Sequence, residues 1–148
     1  MYSTAMKFMT SKAFLDTNVI VYALVERAST QPDRRTRIAE DILTNGGTVS
    51  VQVLTEFTDV VSRKHGKSLG LVGEMLDGIQ AICGPAIPLT KDTYESALEI
   101  SKRHGFRIYD SLIIAAAVQA GCDTVFTEDM QLGQVIDGVR IENPFKAV

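Results

Sequence analysis

Short apolar runs alternate with longer stretches in which apolar positions recur every three or four residues. KAFLD, residues 12–16, has the pattern of a strand. TNVIVYALVE and DRRTRIAEDILTN have the pattern of helices, the second stopping at Gly46-Gly47. TVSV, residues 48–51, is a second strand, followed directly by a helix from about Gln52 to Lys64. SLGLVGEMLDGIQAIC and TKDTYESALEISKR are two more helices, with AIPL between them as a third strand candidate. After the loop GFRIY, DSLIIAAAVQAG is a helix ended by Gly121; TVFT is then a strand, DMQLGQVI a short helix and VRIEN a last strand. Strands separated by helices predict an α/β domain with a mostly parallel sheet and right-handed crossovers. In open sheets of this kind, ligands sit beyond the carboxyl ends of the strands.

The chain has 148 residues, 45% hydrophobic and 22% charged, which suits one ordinary domain with a substantial core. No internal repeat, low-complexity tract or linker divides it, so residues 12–148 are expected to form a single domain behind a loose lead of residues 1–11. Met6 and Met9 leave the natural start open. Cys83 and Cys122 lie far apart, with no C-x-x-C and no paired histidines, which suggests neither a disulfide framework nor a structural zinc site. The opening residues lack the apolar core of a signal peptide, and no segment reaches the roughly 18 apolar residues of a membrane span. A cytoplasmic protein without membrane association is the expectation. The net charge of −3 is not that of a protein that holds nucleic acid by charge alone. A polyanionic partner would need local help, and bound divalent cations can reverse the sign of an acidic cleft.

Four acids stand in positions that ask for an explanation. Asp16 lies at the carboxyl end of the first strand, where a helix N-cap alone would account for it, contributing about 0.5–2 kcal/mol. Glu56 shares a helix face with Val53, Phe57 and Val60, on or beside an apolar stripe; a boundary glutamate reaching solvent is the plain alternative. Asp110 opens the most apolar helix of the chain, either as a cap or as a charge that would be costly if buried without a partner. Asp129 follows the strand TVFT, where Thr127 can cap a helix while Glu128 and Asp129 complement its dipole. Each acid alone has a sufficient structural reading. Together they come from two strand ends, a helix face and a helix start, all of which a parallel sheet can bring to one rim.

Crowded carboxylates repel, and divalent cations offset that repulsion economically. With no histidine or cysteine in the set, all-oxygen ligation suits Mg²⁺ or Mn²⁺. One or two such ions, about 3.5–4 Å apart if there are two, can activate water and stabilise the leaving oxygen of a phosphodiester. Asn18 and Thr127 add neutral polar groups beside the first and last acids, and either also suits a purely local backbone role.

The set FLDTNVIVYAL, TEF, YDSLIIAAA and FTEDM, with a closing RIENPF, resembles the PIN-domain family, and most of all its VapC-like bacterial toxins of toxin-antitoxin pairs. The likeness runs from about Phe14 to Phe145. It implies a three-layer α/β/α sandwich with a mostly parallel, about five-stranded sheet. It also implies Mg²⁺- or Mn²⁺-dependent endonucleolytic cleavage of RNA, with Asp16, Glu56, Asp110 and Asp129 as the catalytic and metal-binding set. Asn18 and Thr127 match the polar positions that accompany it, and Glu128 matches less well and is expected to face solvent. A small antitoxin whose tail enters the acidic groove, and a homodimer, are the implied partners.

Candidate RNA contacts are Arg107 first, in the loop before Asp110, then Arg34 and Arg35. Arg63 and Lys64, like Lys102 and Arg103, suit the last turns of helices before glycines, as do His65 and His104 at the surface. Apolar surface on SLGLVGEMLDGIQAI and at Val21, Tyr22 and Leu24 reads as core packing before a dimer or antitoxin surface. A phosphotransfer protein fits poorly: haloacid dehalogenase-type phosphatases want an acid where Asn18 stands, and the acidic pair and late lysine of receiver domains are missing. An inactive PIN-fold module that binds metal or a partner, and a DNA structure-specific nuclease, are the remaining alternatives.

Overall fold

The computed structural model describes residues 12–25, 33–130 and 133–146; the lead of residues 1–11 lies outside them. The order is β1 (Ala13–Leu15), α1 (Thr17–Leu24), α2 (Arg34–Thr44), α3 (Val51–Lys64), α4 (Leu69–Cys83), α5 (Lys91–His104), α6 (Ile108–Gln119), β2 (Thr124–Phe126), β3 (Val135–Ile136) and β4 (Val139–Glu142). The first strand and the helices up to Gln119 follow the hydrophobic pattern, while two of the later strands and the segment after β2 depart from it. Side-chain caps start most helices: Asp33 accepts from the Thr36 amide, Ser50 from Val53, Ser68 from Leu71, and Thr90 forms a capping box with Thr93.

The sheet runs β1-β2-β4-β3, parallel except for the last pair. Leu15 lies opposite Phe126, and Phe126 opposite Glu142, so β1 and β2 end flush. The ladder continues one step past both ends, with the Asp16 amide donating to Phe126 O (3.0 Å) and the Thr127 amide to Glu142 O (3.0 Å). That register places Asp16 and Thr127 side by side at the carboxyl rim. Consecutive burial of Phe14, Leu15 and Asp16 shows that β1 is covered on both faces. On one side α6 packs on β2, β4 and α5; α1 meanwhile packs on α2 and α3, and α3 on α4. Ser111 to Ala117 of α6 are buried without a break, which makes it a core helix.

Two strand candidates shrink to single bridges. TVSV pairs through Thr48 with Phe14, and AIPL through Ile87 with Ser50, both parallel, extending the sheet beyond β1 as two brief segments. Pro85 and Pro88 flank Ile87 and lack the amide a longer ladder needs, and Gly46-Gly47 precede Thr48. A larger departure follows Thr127. Where DMQLGQVI predicts a helix, residues 128–130 bend, residues 131–132 lie outside the described set, and Val135–Ile136 form β3, antiparallel to β4. The turn between them is Asp137-Gly138, both with positive φ (49° and 84°), as a two-residue hairpin of the I′ type requires. Thr127 therefore caps no helix in the described residues.

Helix α4 also differs from expectation. Only Val72 and Ile79 of its residues are buried, while Leu69, Leu71 and Ile82 stand exposed, apolar surface that core packing does not use; Val21, Tyr22 and Leu24 of α1 are partly buried and pack against the core, as expected. Cys83 and Cys122 are free thiols, each pushed above the ordinary thiol range by burial. No described helix is long and apolar enough to cross a membrane.

Gly47 carries the end of β1 in place. A Cβ there would stand 2.7 Å from Leu15 Cγ, so alanine must displace the buried Leu15 side chain next to Asp16. Gly47→Ala is expected to cost about 1–3 kcal/mol in urea unfolding, the usual range for overpacking a tight core.

Candidate active site

Asp16 leaves β1 and caps α1. Its Oδ1 accepts from the Thr17 amide (2.8 Å), its Oδ2 from the Thr127 hydroxyl (2.7 Å), and only 7% of the residue is exposed. Burial pushes its pKa up to about 6, against the two hydrogen bonds that favour the carboxylate; the charges of Glu56 and Asp129 raise it further. Both simple readings hold, for Asp16 is a cap and also a buried acid beside other acids.

Glu56 projects from α3, with both oxygens occupied: Oε2 accepts from Thr17 Oγ1 and Oε1 from Gln52 Nε2, each at 2.9 Å. Asp129, in the bend after β2, accepts from Asn18 Nδ2 (3.1 Å), and its amide donates to Thr127 Oγ1 (3.2 Å). Thr127 thus joins the first and last acids, and Asn18 reaches the last from α1. The other amide atom of Asn18, Oδ1, is buried without a partner. Asp110 stands in the first turn of α6 as its third residue, not as its cap; the cap position is Arg107. Arg107 Nε lies 3.6 Å from Asp110 Oδ2, with the arginine side chain 82% and the aspartate 22% exposed.

Asp16, Glu56, Asp110 and Asp129 line one open cleft of about 530 Å³, together with Thr17, Gln52, Arg107 and Tyr109. An adjoining groove shares Thr17, Glu56 and Asp129 and adds Asn18, Tyr22, Lys64, His65 and Glu128. A cleft of similar size between α5 and α6 lacks such a convergence: there Asp137 pairs with Arg103 (3.1 Å) and Thr93 donates to Gln119 (2.7 Å). Among the described residues, no three histidine, cysteine or acidic side chains stand close enough to form a ready-made metal cage. The acids surround a space instead of closing on a point. Such an arrangement fits a hard cation that keeps several of its waters.

The other predicted residues fall elsewhere. Arg34 donates to Phe145 O (2.6 Å), holding the C-terminal segment, whose Phe145 ring meets Tyr22 edge-on at 5.0 Å. Arg35 pairs with Glu128 (3.2 Å) and lies over the Tyr22 ring. Neither arginine lines the acidic cleft. Glu128, expected to face solvent, is instead partly buried, since it also accepts from Tyr22 Oη (2.6 Å). That pairing neutralises it outside the four-acid set. His65 and His104 are exposed, as expected. Two site residues escaped the sequence reading, Thr17 and Gln52. The i,i+4 spacing of Gln52 and Glu56 on one helix was the available signal.

Comparisons with known proteins bear on the fold. Three solved structures share the fold at low identity. The toxin VapC20 of Mycobacterium tuberculosis, described as cleaving the sarcin-ricin loop, superposes with a TM-score of 0.60 and 21% identity, over 80% of this chain and 90% of its own. A toxin-antitoxin complex from Klebsiella pneumoniae gives 0.65 and 17%, over 92% and 100%. VapBC2 of Rickettsia felis, bound to a promoter DNA fragment, gives 0.61 and 23%, over 88% and 97%. No curated protein matches the chain. The family model for the PIN domain matches residues 13–137, from β1 to the β3–β4 turn and across all four acids, and the chain belongs to the PIN domain family.

Proposed function

We propose that this protein is a metal-dependent endoribonuclease and the toxin of a type II toxin-antitoxin pair. The observation that carries the reading is the meeting, in one open cleft, of four carboxylates delivered by the ends of β1 and β2 and by α3 and α6. Charges so arranged cost stability on their own and are offset by a cation. Their all-oxygen chemistry suits Mg²⁺ or Mn²⁺, and Asp16, Glu56, Asp110 and Asp129 would hold one or two such ions. When bound, the ions activate water and stabilise the leaving oxygen of a phosphodiester.

The chain's own groups prepare that chemistry. The Thr127 hydroxyl and the Thr17 amide fix both oxygens of Asp16; Thr17 and Gln52 fix those of Glu56, and Asn18 holds Asp129. Pre-set donors of this kind orient ligands before substrate arrives. Arg107, at the rim and largely in solvent, is the first phosphate contact in this reading: it can exchange Asp110 for an RNA phosphate. Arg34 and Arg35 would serve only by giving up Phe145 and Glu128. The exposed apolar side chains of α4 offer surface to a small antitoxin and to a second copy in a homodimer, and the proposed place of action is the cytoplasm.

The test is cleavage of total cellular RNA by the purified, partner-free protein. Cleavage in Mn²⁺, lost in EDTA and lost in Glu56→Gln, is expected; equal cleavage by wild type and Glu56→Gln, or in EDTA, overturns the reading. Arg107→Ala is expected to raise KM for RNA about 5- to 10-fold with a smaller effect on kcat. It should also flatten the salt dependence by about 0.7 in slope, as for the loss of one phosphate contact on a single strand.

A further inference from the structure

We propose that Gln52 is a positioning residue of this site, a clamp that fixes the Glu56 carboxylate against the main chain that carries Asp110. The inference rests on the nuclease reading above and deepens it.

Gln52 lies in the first turn of α3 and is 7% exposed. Its Nε2 donates twice, to Glu56 Oε1 (2.9 Å) and to the main-chain oxygen of Tyr109 (3.1 Å). Tyr109 directly precedes Asp110 in the first turn of α6. The amide orientation follows from chemistry: a carboxylate and a carbonyl can only accept, so the nitrogen must face both. One side chain therefore bridges the two helices that deliver Glu56 and Asp110. The bridge ties the first turn of α3 to the first turn of α6 at the cleft. Thr17 holds the other oxygen of Glu56 from α1, and the carboxylate is pinned at both ends.

The remaining amide atom argues that this arrangement is kept for the site. Gln52 Oε1 is buried and has no hydrogen-bond partner in the structure. A buried acceptor left unmet lowers stability, so the glutamine is tolerated here only for what its nitrogen does, the two hydrogen bonds to Glu56 and Tyr109. A glutamine retained for the fold alone has no reason to carry that cost; one that must present two donors to Glu56 and Tyr109 does. Departures from the stable choice concentrate where function demands them.

The experiment compares wild type, Gln52→Met and Glu56→Gln for melting temperature, Mn²⁺ affinity by calorimetry, and kcat and KM on an RNA the wild type cleaves. Gln52→Met removes the unmet acceptor together with two donated hydrogen bonds and is expected to fold, with a melting temperature within a few degrees of wild type. Its Mn²⁺ affinity should be about 10-fold weaker and its kcat at least about 10-fold lower with KM for RNA nearly unchanged, the scale on which groups that orient metal ligands act. In the double variant with Glu56→Gln, Gln52→Met should weaken Mn²⁺ binding no further, because it acts through Glu56. Wild-type kcat and Mn²⁺ affinity in Gln52→Met, with both lost in Glu56→Gln, overturn the clamp and leave the nuclease reading standing. If neither variant changes them, the site assignment fails and the clamp with it. Should Gln52→Met fold poorly, Gln52→Glu keeps the length and turns the donor into an acceptor. It must lose at least as much kcat, and wild-type turnover in it overturns the proposal.

Discussion

Replacing Asp16 by asparagine is expected to abolish RNA cleavage and, in the same variant, to raise the melting temperature of the metal-free protein. Asparagine caps a helix as well as aspartate does, so the hydrogen bond from the Thr17 amide survives, and the Thr127 hydroxyl can adjust to the new amide. What disappears is a buried charge among other acids. The sign of the pH dependence follows from the raised pKa of about 6. Between the unfolded value near 4 and about 6 the folded chain keeps a proton that the unfolded chain has released. Stability therefore falls as pH rises through that window, and the full loss is felt above it. At pH 7.5 the cost of the Asp16 charge is about 1–3 kcal/mol. The stability gain of Asp16→Asn over wild type should thus be near zero at pH 4 and reach that size by pH 7. Saturating Mn²⁺ should shrink or invert the gap, because a ligand of the native state stabilises only the chain that binds it. Thermal unfolding of both proteins across pH 4–8, with and without Mn²⁺, checks each part. A variant less stable than wild type at pH 7.5 without metal contradicts the picture.

The second large effect is expected at Asp110. Among the described residues its carboxylate accepts no hydrogen bond of normal length; it lies 3.6 Å from an exposed arginine and stands in the first turn of α6, so the fold asks little of it. Asp110→Asn forfeits a helix-dipole interaction of about 0.3–1 kcal/mol. The same substitution removes a charge from the cleft and should lower kcat at least about 100-fold, the scale on which a group aimed at the transition state is felt. Asp110 thus separates function from stability in the opposite manner to Asp16: activity collapses while the melting temperature barely moves. Turnover assays beside thermal unfolding measure both. Wild-type turnover in a folded Asp110→Asn protein contradicts the assignment.

Asp16, Asp110 and Asp129 were legible in the sequence because each breaks an apolar pattern near an element boundary, where a parallel sheet gathers side chains; Glu56, in mid-helix, was legible as an acid beside an apolar stripe. Asp16 and Thr127 become neighbours through the flush register of β1 and β2, which a strand pattern implies but does not fix. The start of α6 was misread because Ile108 and Tyr109 look like the end of a loop; the helix begins with them, and Asp110 serves the first turn without capping. After Thr127 the apolar spacing of QLGQVI imitated a helix. The Asp137-Gly138 pair flanked by VI and VRIE was the stronger signal, since two consecutive positive φ angles suit that dipeptide. Thr17 and Gln52 stayed hidden for a different reason. Their roles lie in contacts to Glu56 and Tyr109 from other turns or elements, and periodicity assigns a residue to a face without naming the partner across it. Arg35, read in the sequence as an RNA contact, and Glu128 neutralise each other beside Tyr22, a pairing across α2, α1 and the bend after β2 that no sequence pattern announces.

The central claim is that Asp16, Glu56, Asp110 and Asp129 form one cation site. It is tested most directly without any RNA, by titrating Mn²⁺ into the partner-free protein and into Asp110→Asn under calorimetry. The account predicts saturable binding to the wild type, accompanied by a rise in melting temperature, and loss of both in the variant. Equal Mn²⁺ binding by the two proteins would contradict it.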